Sequence, residues 1–242
     1  MRKNTSIILL GFSFLFTSII SAQNDNLAGG NSFANDINGR PLYLKTEYRA
    51  EGSPYYYDDY SYADITSLEG KVYKAVLVKL DLVENLILYK TEDGKEMIAS
   101  TPLKKIRFYS SVIGEKMHPG ITLETIGGAI NAEKAKVFEV LAEGKAKLLK
   151  QVSVTYSDDK LYGESTITRK FKRATGYYSV VGGSEAEPKK LTRSKPAIIE
   201  LFSSQKDSVR NYIDDHKLDC KSEEDLIKIF EYYQKITNPS AS

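Results

Sequence analysis

The hydrophobic period of this chain changes once, near Arg193, and that change constrains the fold more than any other feature. Before it the pattern is that of strands. In the run Lys71 to Val83, Val76, Val78, Leu80 and Leu82 recur at every second position while Lys79 and Asp81 take the opposite face, as a half-buried strand requires. Glu69-Gly70, Glu84-Asn85 and Glu92-Asp93-Gly94 punctuate it, because Gly and Asn accept the positive φ of tight hairpin turns. Further strands are expected at Leu86 to Thr91, Glu96 to Thr101 and Lys105 to Tyr109. Residues 110–134, broken by Gly114, Pro119, Gly120, Gly127 and Gly128, read as a loop region with one short strand around Ile121 to Thr125. Strands resume at Val137 to Leu141, Lys147 to Tyr156, Thr166 to Arg173, Tyr177 to Val181 and Lys189 to Thr192, with Glu143-Gly144 and Gly182 to Pro188 as hairpin turns.

After Arg193 the period becomes about 3.6. Ser194 with Pro196 in the first turn opens a short helix carrying Ile198, Ile199, Leu201 and Phe202. Ser204 and Asp207 resemble a capping box before a second helix with Val209, Tyr212 and Ile213 inward, and Ser222 and Asp225 repeat the device before a third. There Leu226, Ile229, Phe230, Tyr233 and Ile236 fall on one stripe. The fold class expected is α+β: an antiparallel β-sheet assembly, sandwich-like or partly closed, over residues 40–193, followed by a small C-terminal helical element, 194–237, packed on it.

Residues 1–22 read as a signal peptide, with basic Arg2 and Lys3, an uncharged stretch from Ile7 to Ile20, and small Ser21-Ala22 before the cut. The stretch is shorter than the ~20 apolar residues of a spanning helix, so no transmembrane segment is expected after cleavage. Gln23 stands where a lipoprotein would need Cys, so a periplasmic or extracellular protein without a lipid anchor is expected. Residues 23–39, rich in Gly and Asn, read as a flexible leader. Losing Arg2 and Lys3 from 34 basic and 32 acidic residues leaves the mature charge balanced, which argues against nucleic acid as a partner.

Reactive chemistry is sparse. With Cys220 the only cysteine, stability rests on burial, and the thiol reads as a small buried hydrophobe between two helices. The two histidines limit nucleophilic catalysis: His118 lies in a turn-like Lys116-Met117-His118-Pro119-Gly120, and His216 near a helix end suits a cap. No G-x-S-x-G elbow or phosphate-cradling glycine loop occurs, zinc lacks its His and Cys donors, and no cofactor or metal is expected. Asp58, Asp59 and Asp64 are close in sequence but lack the D-x-D-x-D-G calcium spacing, and read as a solvated acidic loop.

Two patterns suit binding. Tyr55, Tyr56, Tyr57, Asp58, Asp59, Tyr60 and Tyr62 set aromatic faces beside carboxylates, a combination able to hold a sugar, a cation or a partner peptide, although edge-strand packing accounts for it too. In Arg169 to Arg173, alternation puts Arg169, Phe171 and Arg173 on one side and Lys170 and Lys172 on the other. That strand can meet an anionic envelope polymer or pair with acids on a neighbouring strand.

Gly52 to Asp59, Gly70-Lys71-Val72-Tyr73, Val78 to Asp81, Lys160-Leu161-Tyr162, Tyr177-Tyr178-Ser179-Val180, Asp214 to Leu218 and Glu224 to Lys228 together resemble a group of uncharacterised exported proteins common in Bacteroidota, over nearly the whole mature chain. The resemblance implies an envelope or secreted location and transfers no activity. The expected function is therefore a non-enzymatic envelope module that binds a protein or glycan through its sheet surface. The alternatives are a carboxylate-dependent hydrolase of an envelope polymer and a carrier of a small apolar ligand. No pattern in the chain sets its oligomeric state.

Overall fold

The computed structural model describes residues 39–41, 48–113, 116–126, 128–133, 135–160, 162–163, 166–181 and 187–238. The signal peptide, the leader up to residue 38, and the turn residues 182–186 lie outside the described residues. Among the described residues, fourteen strands precede the helices: β1 (Arg40–Pro41), β2 (Tyr48–Glu51), β3 (Ser61–Ser67), β4 (Val72–Asp81), β5 (Leu86–Lys90), β6 (Glu96–Ile98), β7 (Leu103–Phe108), β8 (Ser111–Ile113), β9 (Lys116–His118), β10 (Thr122–Thr125), β11 (Val137–Ala142), β12 (Ala146–Asp159), β13 (Ile167–Val181) and β14 (Lys189–Lys190). Twelve form one sheet in the order β1-β6-β5-β4-β3-β7-β10-β11-β12-β13-β14, with β2 also on β13, and β8 and β9 make a separate hairpin.

The α+β class and the dominance of antiparallel pairing agree with the expectation, with one correction: β2 lies parallel to β13, so the sheet is mixed. Two strands expected at Thr166 to Arg173 and Tyr177 to Val181 are one continuous β13, in register with β12 from Asp159↔Thr168 to Ala146↔Val181. Gly176 lies within that register and does not break it; a Cβ there would meet the Tyr178 ring at 3.1 Å. The loop expected over 110–134 contains the β8–β9 hairpin, so His118 stands on a strand, not in a turn.

β4 departs from strict alternation in one place. Asp64 on β3 faces two β4 residues, Lys74 and Ala75, and Ala75 takes φ +53° while its N–H donates to Asp64 Oδ1 at 3.3 Å. This bulge shifts the phase, which is why Tyr73 and Val76 are both buried. Gly70 (φ +86°) and Gly94 (φ +79°) supply the left-handed turn residues expected of them.

Ala63, Ile65, Val78, Leu80, Ile106 and Leu123 belong to a first apolar core. The helices make a second one: α1 (Lys195–Leu201), a 3-10 turn (Ser203–Gln205), α2 (Lys206–Asp215) and α3 (Glu223–Thr237) close over Ala142, Ala146 and Leu148. Ser222 caps α3 by accepting from the Asp225 N–H at 3.4 Å, and three acidic residues in its first turn suit the positive end of the helix dipole. Leu226, Ile229, Phe230 and Tyr233 are buried, each large apolar side chain contributing about 1.5–3 kcal/mol. The capping box at Ser204 is not formed. Gln205 precedes α2, and Ser204 Oγ instead lies 3.4 Å from Tyr233 Oη. Cys220 sits in this core, and His216 ends α2 with Nδ1 3.0 Å from the Tyr212 carbonyl, the capping position expected.

The segment between β2 and β3 shows how the sheet is shaped. The Tyr56 N–H donates to the Leu80 carbonyl on β4 at 2.8 Å, and its own carbonyl accepts from Arg173 Nη2 on β13 at 3.0 Å. These strands are six steps apart along the sheet order, about 29 Å if the sheet were flat. The sheet therefore bends around Tyr56.

Candidate binding cleft

Gly52 turns the chain out of β2 at φ +81°, where a Cβ would meet the Phe171 carbonyl at 3.0 Å, so close approach and backbone conformation both call for glycine. The chain then pairs with the end of β4: Leu82 N–H donates to the Pro54 carbonyl at 2.9 Å, and Tyr55 bridges Asp81. This presents Tyr55, Tyr56, Tyr57, Asp58 and Asp59 to a cleft of about 1010 Å³, closed elsewhere by Lys79, Met117, Phe171 and Arg173 among others. Five of the seven residues nominated from sequence are thus brought together. Tyr60 and Tyr62 are not in its lining. Tyr60 packs under Lys79 and Lys90, whose ammonium groups lie 5.6 and 4.6 Å from its ring centre, and Tyr62 is exposed on β3.

Charge in the cleft is mixed. The Lys79 ammonium lies 3.9 Å above the Tyr55 ring, a cation–π contact; burial lowers its proton affinity and nearby Asp58 and Asp59 offset part of that. Among the described residues, neither Lys79 nor the two aspartates has an ion pair. Burial, then Asp81, raises the Tyr55 phenol; burial and Glu139 push Tyr57 up to about 12. Tyr57 also donates to the Pro119 carbonyl at 3.0 Å and meets Phe108 edge-on at 5.4 Å.

Behind the cleft runs a polar chain that no sequence pattern revealed. Tyr56 Oη donates to Glu139 Oε2 at 2.6 Å; Lys150 Nζ lies 2.8 Å from Glu139 and 3.0 Å from Glu223; Tyr177 Oη donates to Glu223 at 2.6 Å. It spans the seam between the sheet core and the helical core. Burial opposes the Lys150 ammonium, but the two carboxylates overcome it and raise its pKa; burial likewise opposes the Glu223 carboxylate, and Tyr177 and Lys150 outweigh it and hold Glu223 below the usual range. Only the strand register, which sets Glu139 opposite Lys150, could have exposed this link.

The basic strand resolves mainly into cross-strand pairing. Arg169 forks onto Asp158 with two bonds of 2.7 Å and lies between the rings of Tyr48 and Tyr156, while Lys170 reaches Asp159 at 2.8 Å. Arg173 and Phe171 line the cleft instead. Asp64 does not join Asp58 and Asp59. It accepts from Arg107 at 2.6 Å and from Tyr109, and these bonds outweigh burial and lower its pKa.

No protein-family model, curated protein or solved structure matches this chain. No helix among the described residues is long and apolar enough to cross a membrane.

Proposed function

We propose that this chain is an exported cell-envelope protein, periplasmic or extracellular and without a lipid anchor, that works by holding a partner in the cleft beside Tyr55 and not by breaking bonds. One observation carries the reading: five of the seven residues nominated from sequence, Tyr55 to Asp59, meet Lys79, Phe171 and Arg173 in a single recess of about 1010 Å³. The bend of the sheet around Tyr56 supports a partly closed sheet, in preference to a sandwich, as the scaffold that presents it.

Two alternatives fit less well. Glu139 and Glu223 are two carboxylates drawn to one place, but both bond the Lys150 ammonium, and Glu223 is held ionised, a poor state for a general acid. An apolar carrier would not set Lys79, Arg173, Asp58 and Asp59 around its ligand.

The test is a panel of envelope-type oligosaccharides and extended peptides titrated calorimetrically into the mature protein and its Tyr55→Ala and Lys79→Ala variants. A ligand bound by the parent and lost tenfold or more by both variants is expected. Binding insensitive to both substitutions, or turnover of any panel member, overturns the reading.

A further inference from the structure

β13 is paired with β12 along nearly its whole length, but its other side is covered only in parts. β2 pairs with it from Ile167 to Lys170 and β14 at Tyr178 and Ser179; between them, among the described residues, no strand lies alongside. The phase of that open stretch is set by the Leu191 N–H, which donates to the Tyr177 carbonyl at 2.8 Å. Backbone groups of alternate residues point to the same side, so Arg173 and Thr175 direct their N–H and C=O outward while Lys172 and Ala174 direct theirs to β12. Residues 172–175 are all exposed. An exposed run of unpaired backbone groups within a 15-residue strand is a template for another strand.

We infer that this open edge takes up an extended acidic peptide segment as an added strand, with its inward side chains entering the cleft beside Arg173 and the adjoining recess beside Thr175. The inference rests on the cleft being a binding site. With Gly52 against the Phe171 carbonyl and Leu191 bonded to Tyr177, the open edge runs over residues 172–176, about 17 Å, and is stopped at both ends. A second copy of β13, 15 residues long, would run into β2 or β14, so the occupant is a short or free-ended segment. Side chains alternate as the backbone groups do: Phe171 and Arg173 line the large cleft, and Arg173 and Thr175 line an adjoining recess of about 330 Å³. The stretch carries Arg173 on one face and Lys172 on the other, and Lys172 has no ion pair among the described residues, which selects a carboxylate-bearing partner. A glycan would rely on open aromatic faces, and Lys79 already occupies one face of Tyr55. A peptide gains main-chain hydrogen bonds from the edge and side-chain contacts from the recesses.

Amide hydrogen exchange of the mature protein, with and without the end-capped peptide Thr-Val-Glu-Val-Thr at millimolar concentration, tests this residue by residue. The Arg173 and Thr175 amides should exchange freely in the unliganded protein and slow at least tenfold with peptide, while Lys172 and Ala174 stay slow throughout. A peptide with Pro in place of both Val residues should give no slowing, and Lys in place of Glu should weaken binding at least fivefold. Thr175→Pro removes one outward N–H and should weaken peptide binding tenfold or more; the exchange measurement stands should that variant fail to fold. Slow exchange at Arg173 and Thr175 without peptide, or no change with it, overturns the added strand. Should a hexasaccharide bind and Tyr55→Ala abolish that binding while the peptide has no effect, the cleft survives and the peptide inference fails; should neither bind, both fail.

Discussion

The phenol of Tyr56 donates to the Glu139 carboxylate at 2.6 Å, and through that one bond the cleft segment is tied to the ion pair that joins sheet and helices. Glu139 is 8 % exposed, so its oxygens are satisfied by these protein partners and little by water. Removing the phenolic oxygen in Tyr56→Phe leaves Glu139 with one fewer donor. A loss of about 1–3 kcal/mol is expected, read as a lower urea midpoint with unchanged slope.

Lys150→Met should cost more. It leaves Glu139 and Glu223 facing each other without the ammonium between them, and breaking a buried pair costs about 3–5 kcal/mol. Equilibrium unfolding should place this variant well below Tyr56→Phe, and near-equal stability of the two would contradict a bridging role for Lys150.

Stability should fall at both ends of the pH range, for different groups. Glu223 and Asp64 have folded pKa values below their ordinary 4.5 and 3.8, so what they contribute is present above those values and is lost as pH falls through the lowered ones. Tyr56 and Tyr57 are shifted upward from 10.0, so their contribution is complete below pH 10 and is lost as pH rises, for Tyr57 through about 12. Thermal midpoints against pH, with phenolate absorbance followed in parallel, should show the alkaline loss removed in part by Tyr57→Phe.

How far the sequence discloses this arrangement depends on whether a pattern is local. β4 is legible because one face is buried along most of its length, and α3 because Ser222 and the stripe from Leu226 to Tyr233 lie within one helix. The break expected between Arg173 and Tyr177 is absent because β12 holds the whole of β13, Gly176 included, in register, a pairing that no local pattern encodes. The β8–β9 hairpin is missed because each strand is three residues long, too short for a period to show. In the cleft, Tyr55 to Asp59 are contiguous and so visible, whereas Lys79, Met117 and Arg173 reach it from three distant strands. The Glu139–Lys150–Glu223 link needs both a register and a docked helix, neither of which is encoded in any short stretch.

Gly52→Ala should be destabilising although the residue is at the surface. An alanine at φ +81° is strained, and its methyl would press on the Phe171 carbonyl at 3.0 Å. A loss of about 1–3 kcal/mol is expected, together with weaker binding in the cleft that this turn opens; Gly70→Ala, with open space around it, should lose only the conformational part.

Cys220 is 5 % exposed, and burial raises its thiol pKa above 9.0. It should resist a thiol reagent at pH 8 in the native protein and react fully in denaturant. Rapid labelling of folded protein would contradict the packing of the helical core.

Site-specific photo-crosslinking tests the binding role most directly. The mature protein, with p-benzoylphenylalanine replacing either Tyr55 inside the cleft or Tyr62 outside it, is irradiated in an envelope extract of the producing cells. A discrete adduct from position 55 and none from position 62 is the expected result. Equal labelling at both positions, or no adduct from position 55, would contradict a cleft that holds a partner.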